Sequence, residues 1–384
     1  MIILHIANSY GGTAVYTNLY SAIDVNTEAT QWVYVPLNSR NHDRVGNKMI
    51  DFRNHESKIH YSTLLKPYHR YMYGMKIHTI VKDVERTFDM SKVDVIHAGT
   101  LCLDGAVAYE LSKKYHIPYV VSVRYTDTGY YQLIWRRSYF THILLHASKV
   151  VFISPKFKDV FLQTRLPENA RMKILHQIII VPNGVESTFL ENKCTEHKTF
   201  VEELNMIFVA AFYKGKGLVE TIQAIEKLRD KGYKITLNAI GKGLPNRPKD
   251  AEYIAQVDML ASGKDWVKTQ PFMKPAEIVQ EMRKANAFIM VSKPETFGLV
   301  YVEALSQHLP IIYAQGQGFD GFYPDGLVGY PAIAGNVDSI AEKIESLIKN
   351  YPTISKNVES LDLKKDFEWN NIANKYISIY NTIK

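Results

Sequence analysis

The chain has 384 residues, 46% apolar and 22% charged, a size and balance that suit two folded domains and exclude a disordered chain. Two cysteines make no disulfide framework, no run nears the ~18 apolar residues that span a bilayer, and the start lacks a secretion signal's basic region, so a reducing cytoplasm is the expected compartment. The net charge of +7 is lopsided: residues 1–182 carry 22 Lys and Arg against 14 Asp and Glu, which suits an anionic partner such as a membrane surface, a phosphorylated acceptor or a nucleic acid.

In chain order, residues 2–7 read as a strand that runs into Gly11-Gly12 and a helix from about Thr13 to Ile23. A second strand follows at 31–36 and a polar loop at 38–54. Strands at 93–97, 118–123, 149–153 and 178–181 alternate with helices at 103–115 and 130–146, the pattern of a parallel doubly wound sheet. Pro182-Asn183-Gly184 is turn punctuation, and the polar stretch 191–199 reads as a linker. The alternation then restarts. Strands are expected at 205–211, 234–240, 266–269, 287–291 and 310–314, with helices at 218–230, 251–262, 275–284 and 339–349. A last helix, 366–383, repeats Trp369, Ile372, Tyr376, Ile377 and Tyr380 at helical spacing and is expected to pack on a core.

The stretch from Ser292 to Leu305 is the richest in chemistry. A polar loop with a proline, a carboxylate and a glycine joins an apolar strand to a helix, so it lies at a strand's carboxyl end, where open α/β sheets bind ligands. The N–H groups of Phe297, Gly298, Leu299 and Val300 would be free to hold an anion at that helix start, and Gly298 would let the backbone approach it. Glu295 and Glu303 would repel a phosphate, so sugar hydroxyls are their natural partners. The plainer reading makes Glu295 a residue favoured by the helix dipole and Glu303 a solvated helix position.

Glu-x7-Glu with Phe-Gly inside it and Glu-Ala-Leu at its end resembles the donor signature of retaining GT-B glycosyltransferases, closest to glycosyltransferase family 4 (glycosyl transferases group 1). That resemblance implies an α/β fold of two Rossmann-like doubly wound domains facing a central cleft. Residues 1–182 with the returning tail 367–384 would bind the acceptor, and 183–366 the nucleotide sugar. It places Glu295 on the transferred sugar, Glu303 on the ribose, and the 297–300 amides on the diphosphate. Gly11 and Gly12 would lie over the acceptor hydroxyl and the donor phosphates. Lys216, before Gly217, would neutralise the leaving diphosphate. The family pairs that lysine with an arginine; the aligned residue here is Ala211, so Lys214 is the candidate substitute.

Two strand ends add candidates for the acceptor. His97 closes one strand, and a polar strand end satisfied by its neighbours is the alternative reading. Arg124 stands where the family has a histidine near the sugar; it could bind a phosphate bidentately or pair with Asp127. Gln315 to Gly321 sits where the family has a glycine-bearing loop near the sugar, and His308 replaces a commonly small residue, which predicts unusual packing at a helix end. The basic and aromatic run from Tyr61 to Lys82, with Leu133 to Phe140, suits a bilayer interface, single-stranded nucleic acid or an amphipathic core helix.

The expected activity is retaining transfer of a hexosyl or N-acetylhexosaminyl group from a nucleotide-diphosphate sugar, a uridine-diphosphate (UDP) sugar foremost. The acceptor would be a hydroxyl of a glycan, lipid-linked or protein-linked molecule in cell-surface polysaccharide or glycoconjugate synthesis. No metal or other cofactor is expected, since no His/Cys/Asp group has ligand spacing. Nucleic acid is not an expected partner, and an anionic face of the plasma membrane is. A non-catalytic partner subunit of a glycosyltransferase complex and a UDP-sugar 2-epimerase are the alternatives.

Overall fold

A computed structural model describes residues 1–131, 134–199, 202–243 and 248–384. The chain divides into two compact units, Met1–Ile153 with Phe157–Gly184 and Trp369–Lys384, and Ser154–Lys156 with Val185–Glu368.

The first unit is built on parallel strands β1 (Ile2–Ile6), β2 (Thr30–Pro36), β3 (Lys58–Ser62), β4 (Val95–Ala98), β5 (Tyr119–Val123), β6 (Lys149–Phe152) and β7 (Ile178–Ile180). Their order is β3-β2-β1-β4-β5-β6-β7, so the winding reverses between β1 and β4. β1 pairs with β2 from Ile2 opposite Thr30 to Ile6 opposite Tyr34, and with β4 from Ile3 opposite Val95. Alternate side chains feed two cores. Leu4, Ile6, Ile96, Val121 and Phe152 face the helices Tyr73–Thr87, Ala106–Tyr115 and Ile134–His146. Ile3, Val33, Val95, Val120 and Val151 face the helices Ala14–Asn26 and Trp369–Ile383. Burial on both faces explains why these strands read as unbroken apolar runs.

The tail helix Trp369–Ile383 buries Ile372, Ala373, Tyr376, Ile379 and Tyr380, while Ile377 stays partly exposed. Gly184 is required beneath it, because a Cβ there would lie 2.4 Å from the Trp369 ring.

The second unit has strands β8 (Glu203–Val209), β9 (Lys234–Lys242), β10 (Val267–Pro271), β11 (Ala287–Met290), β12 (Ile311–Ala314) and β13 (Gly329–Ala332), in the order β10-β9-β8-β11-β12-β13. All are parallel, and the winding reverses between β8 and β11. Phe208, Leu237, Phe288, Ile289 and Ile312 are wholly or almost wholly buried between flanking helices that include Leu218–Asp230 and Val337–Glu359.

Several sequence expectations are corrected. β3 and β13 were hidden, β3 by its charged and polar neighbours. The helix expected over 130–146 is described over Tyr125–Tyr131 and Ile134–His146; Gln132 and Leu133 lie outside the described residues. The helix expected to end at 349 runs on to Glu359 through Pro352, although proline removes a hydrogen bond there. Burial outweighs that loss: Tyr351, Ile354 and Val358 are buried, and Ser355 Oγ donates to the Lys198 carbonyl at 3.0 Å. Nor is 191–199 a linker. Cys194 N–H donates to the Ser306 carbonyl at 3.0 Å, and Lys193 Nζ to the Leu361 carbonyl at 3.1 Å, so this stretch is stitched into the second unit. His308 ends its helix with a φ of +60° and sits against the Glu196 carbonyl at 3.2 Å.

Candidate active site

In the second unit, three loops leave the carboxyl ends of β8, β11 and β12 and are laced together. Lys293 N–H donates to the Gly215 carbonyl at 2.8 Å, Gly318 N–H to the Glu295 carbonyl at 3.1 Å, and Glu295 N–H to Gln317 Oε1 at 3.1 Å. Glycine is imposed where these backbones nearly touch. A Cβ on Gly217 would meet the Val291 carbonyl oxygen at 2.6 Å, and one on Gly318 would meet Phe297 N at 2.5 Å. The structure so brings together the loops on either side of the winding reversal, where an open α/β sheet leaves a crevice.

Lys216 and Glu295, distant in sequence, meet here. Lys216 Nζ lies 2.8 Å from Glu295 Oε2, with side chains only 17% and 12% exposed. Ser292 Oγ donates to the same carboxylate oxygen at 3.0 Å, and Thr296 N–H to the other at 3.0 Å. Lys214, by contrast, is exposed and joins no ion pair among the described residues.

The helix Leu299–Ser306 starts at Gly298, whose φ is +82°. A Cβ there would run into the Tyr301 ring at 2.2 Å, so local geometry demands glycine. Tyr301 is itself fixed, its hydroxyl donating to the Met290 carbonyl at 2.6 Å. Among the described residues the N–H groups of 297–300 donate to no backbone acceptor, leaving a row of donors beside Glu295. Phe297 is buried against Phe322 and Phe367, which holds the row in place. Glu303 lies one turn into the helix. Burial, and then the Glu186 carboxylate, raise its pKa to about 7.

The first unit places its candidates at the carboxyl edge of β1, β4 and β5, with outcomes that differ from expectation. Gly11 and Gly12 form a 3-10 turn covered by the Arg44 side chain. His97 is buried, with its ring between Ser122 Oγ at 3.3 Å and the Tyr380 hydroxyl at 2.8 Å. Desolvation, aided by the Arg124 charge, lowers its pKa to about 3, so it is a neutral packing group turned inward and not an acceptor contact.

Asp127 is likewise buried. It accepts N–H bonds from Leu101, Cys102 and Arg124 at 3.1, 2.8 and 2.8 Å, which leaves it no free role toward an acceptor. The Arg124 guanidinium does not pair with Asp127. Its Nη1 donates to Asn183 Oδ1 at 2.9 Å and its Nε to the Gly99 carbonyl at 3.4 Å, over the Tyr16 ring.

Sequence reasoning missed the polar knot where the winding reverses. Asp104 is fully buried and accepts bonds from Asn8 N at 3.1 Å, Asn8 Nδ2 at 2.8 Å and Thr100 Oγ1 at 3.0 Å. Burial raises its pKa to about 7. The available signal was a lone carboxylate within the apolar run 101–108. Among the described residues no group of three His, Cys, Asp or Glu could hold a metal, both cysteines are buried and free, and no helix is long and apolar enough to cross a membrane.

This architecture is the GT-B fold of glycosyltransferases. Sucrose-phosphate synthase from Thermosynechococcus elongatus superposes with a TM-score of 0.73 at 16% identity, covering 100% of this chain and 98% of that one. HepE from Anabaena, solved in complex with UDP, superposes with a TM-score of 0.69 at 15% identity over 99% of each chain. Residues 191–361 match the family described as glycosyl transferases group 1. In sequence the chain is 25% identical over 316 residues to an uncharacterized glycosyltransferase of Methanocaldococcus jannaschii, covering 81% of each. It is 26% identical over 311 residues to the alpha-monoglucosyldiacylglycerol synthase of Acholeplasma laidlawii, covering 75% of this chain and 73% of that one.

Proposed function

We propose that the protein is a retaining glycosyltransferase that moves a hexosyl or N-acetylhexosaminyl group from a UDP-sugar to a hydroxyl of a glycan, lipid-linked or protein-linked acceptor. The carrying observation is the Lys216–Glu295 pair at 2.8 Å beside the open amides of 297–300. A diphosphate laid on those amides draws Lys216 to itself and frees Glu295 to accept from the sugar's hydroxyls. Glu303, half-buried further along the helix, is the candidate for the ribose. Lysine and amides then stabilise charge on the departing diphosphate, electrostatic work that is large in a desolvated crevice. The transferred sugar keeps its anomeric configuration when the acceptor attacks the face the diphosphate leaves, with a donor phosphate oxygen taking the hydroxyl proton.

A UDP donor is supported by the HepE complex with UDP, and a lipid-linked acceptor by the name of the A. laidlawii relative. We include no metal, since Lys216 and the helix amides supply the positive end of the site. A role in cell-surface glycoconjugate synthesis at the inner face of the plasma membrane is part of the same proposal; another relative is named a capsular polysaccharide biosynthesis glycosyltransferase.

The test is a panel of nucleotide sugars and acceptors, with and without EDTA. Acceptor-dependent UDP release, unchanged by EDTA and at least ~tenfold lower in Glu295→Ala (about 1.4 kcal/mol), is expected. An epimerised donor, binding without turnover, or wild-type turnover in the variant would each overturn the assignment.

A further inference from the structure

We propose that Arg44 and Lys76 form a binding site for a phosphate group on the acceptor, at the carboxyl edge of the first unit's sheet. The inference deepens the glycosyltransferase reading and rests on it. Arg44 lies in the loop after β2, and Lys76 in the first turn of the helix that follows β3. Both strands are parallel to β1, so the loop and the helix start stand at the same sheet edge as the Gly11-Gly12 turn.

The Arg44 side chain lies across that turn. A Cβ on Gly11 would meet Arg44 Cβ at 3.2 Å, and one on Gly12 would meet Arg44 Nη1 at 2.7 Å. Neither glycine has a positive φ, so the pair is explained by the guanidinium it admits and not by backbone strain. The loop is pinned from below, with the Tyr10 hydroxyl donating to the Lys48 carbonyl at 2.7 Å and Arg53 N–H to Asp24 Oδ2 at 2.7 Å. Lys76 Nζ donates to Asn38 Oδ1 at 3.3 Å, on the same loop that carries Arg44.

Neither cation joins an ion pair among the described residues. The carboxylate that acts on Lys76 is Asp104, already occupied by Asn8 and Thr100. Burial lowers the Lys76 pKa, so its charge is held there at a cost that a bound anion would offset. A planar guanidinium and an ammonium at the same sheet edge suit a phosphate, which one can grip by two oxygens and the other as a point charge. The phosphate can belong to a lipid headgroup or to a water-soluble sugar phosphate.

The experiment is calorimetric titration of the full chain, separately with dihexanoyl phosphatidic acid and with glucose 6-phosphate, each set against its unphosphorylated counterpart. UDP is titrated in parallel. One phosphate probe is expected to bind and to identify the source, while Arg44→Gln and Lys76→Gln each weaken it ~tenfold or more. Arg44→Lys, which keeps the charge but loses the two-oxygen grip, should bind more weakly than wild type and more tightly than Arg44→Gln, and UDP affinity should be unchanged in all variants. If neither probe binds, if the neutral counterparts bind equally well, or if folded Gln variants bind as wild type does, the inference is overturned. Failure of the wild type to bind UDP overturns the donor-site reading instead, and the phosphate arm is still scored by itself.

Discussion

Lys216 and Lys214 are two residues apart, yet only one is held by the site. Lys216 is partly buried against Glu295, and Lys214 is solvated. Lys216→Ala should weaken UDP-sugar binding ~tenfold or more and Lys214→Ala less than ~threefold; equal losses in a fluorescence titration would show that Lys214 takes the missing arginine's place. Glu303 carries a pH signature. Its native carboxyl holds a proton up to about pH 7, whereas an unfolded glutamate releases it near the ordinary 4.5. Between those values the native state binds more protons, so this stability is complete below about 4.5 and is lost as pH rises through 7. Glu303→Gln, neutral throughout, should melt higher than wild type at pH 8 and close to it at pH 5, and equal melting temperatures at pH 8 would refute the shift.

At the scale of elements, the tail helix is tied to the first sheet through the buried Tyr380 hydroxyl and His97 Nδ1, 2.8 Å apart. Tyr380→Phe removes that partner and should cost about 1 kcal/mol. His97 charges only near pH 3 in the native state against 6.5 unfolded, so its contribution is complete above 6.5 and fades as pH falls toward 3. Urea titrations at pH 7 and pH 4 check both statements; an unchanged midpoint in the variant would make the bond energetically idle. The segment from Tyr61 to Lys82 shows why composition misleads at this scale. Tyr61 ends up in β3, Ile77 and Ile80 are buried, and Tyr68, Tyr71, Met72 and Met75 are exposed, so one basic-aromatic run serves a strand, a core and a surface.

For the whole molecule, that exposed group lies beside Lys66 and Arg70 in a half with excess positive charge. Apolar rings and basic side chains in one patch match an anionic bilayer interface. The full chain should float with vesicles containing anionic phosphatidylglycerol, lose them as salt rises, and ignore neutral phosphatidylcholine; no flotation, or flotation insensitive to salt, would remove membrane association from the proposal.

The alternation of buried strands with helices was legible along the chain because each strand buries both faces and so must be apolar throughout. The helices 218–230 and 275–284 stand where their spacing put them. The Glu295 to Glu303 stretch was legible for a related reason: glycine and free amides at a strand's end are local features. Which side chains meet was not. Lys216 reaches Glu295, Asn8 reaches Asp104, Arg44 lies on Gly12 and His97 turns inward to Tyr380 because the winding order sets distant loops side by side. Periodicity records whether a residue is buried, whereas a partner tens or hundreds of residues away is chosen only when the sheet closes and each buried polar group must find its hydrogen bond.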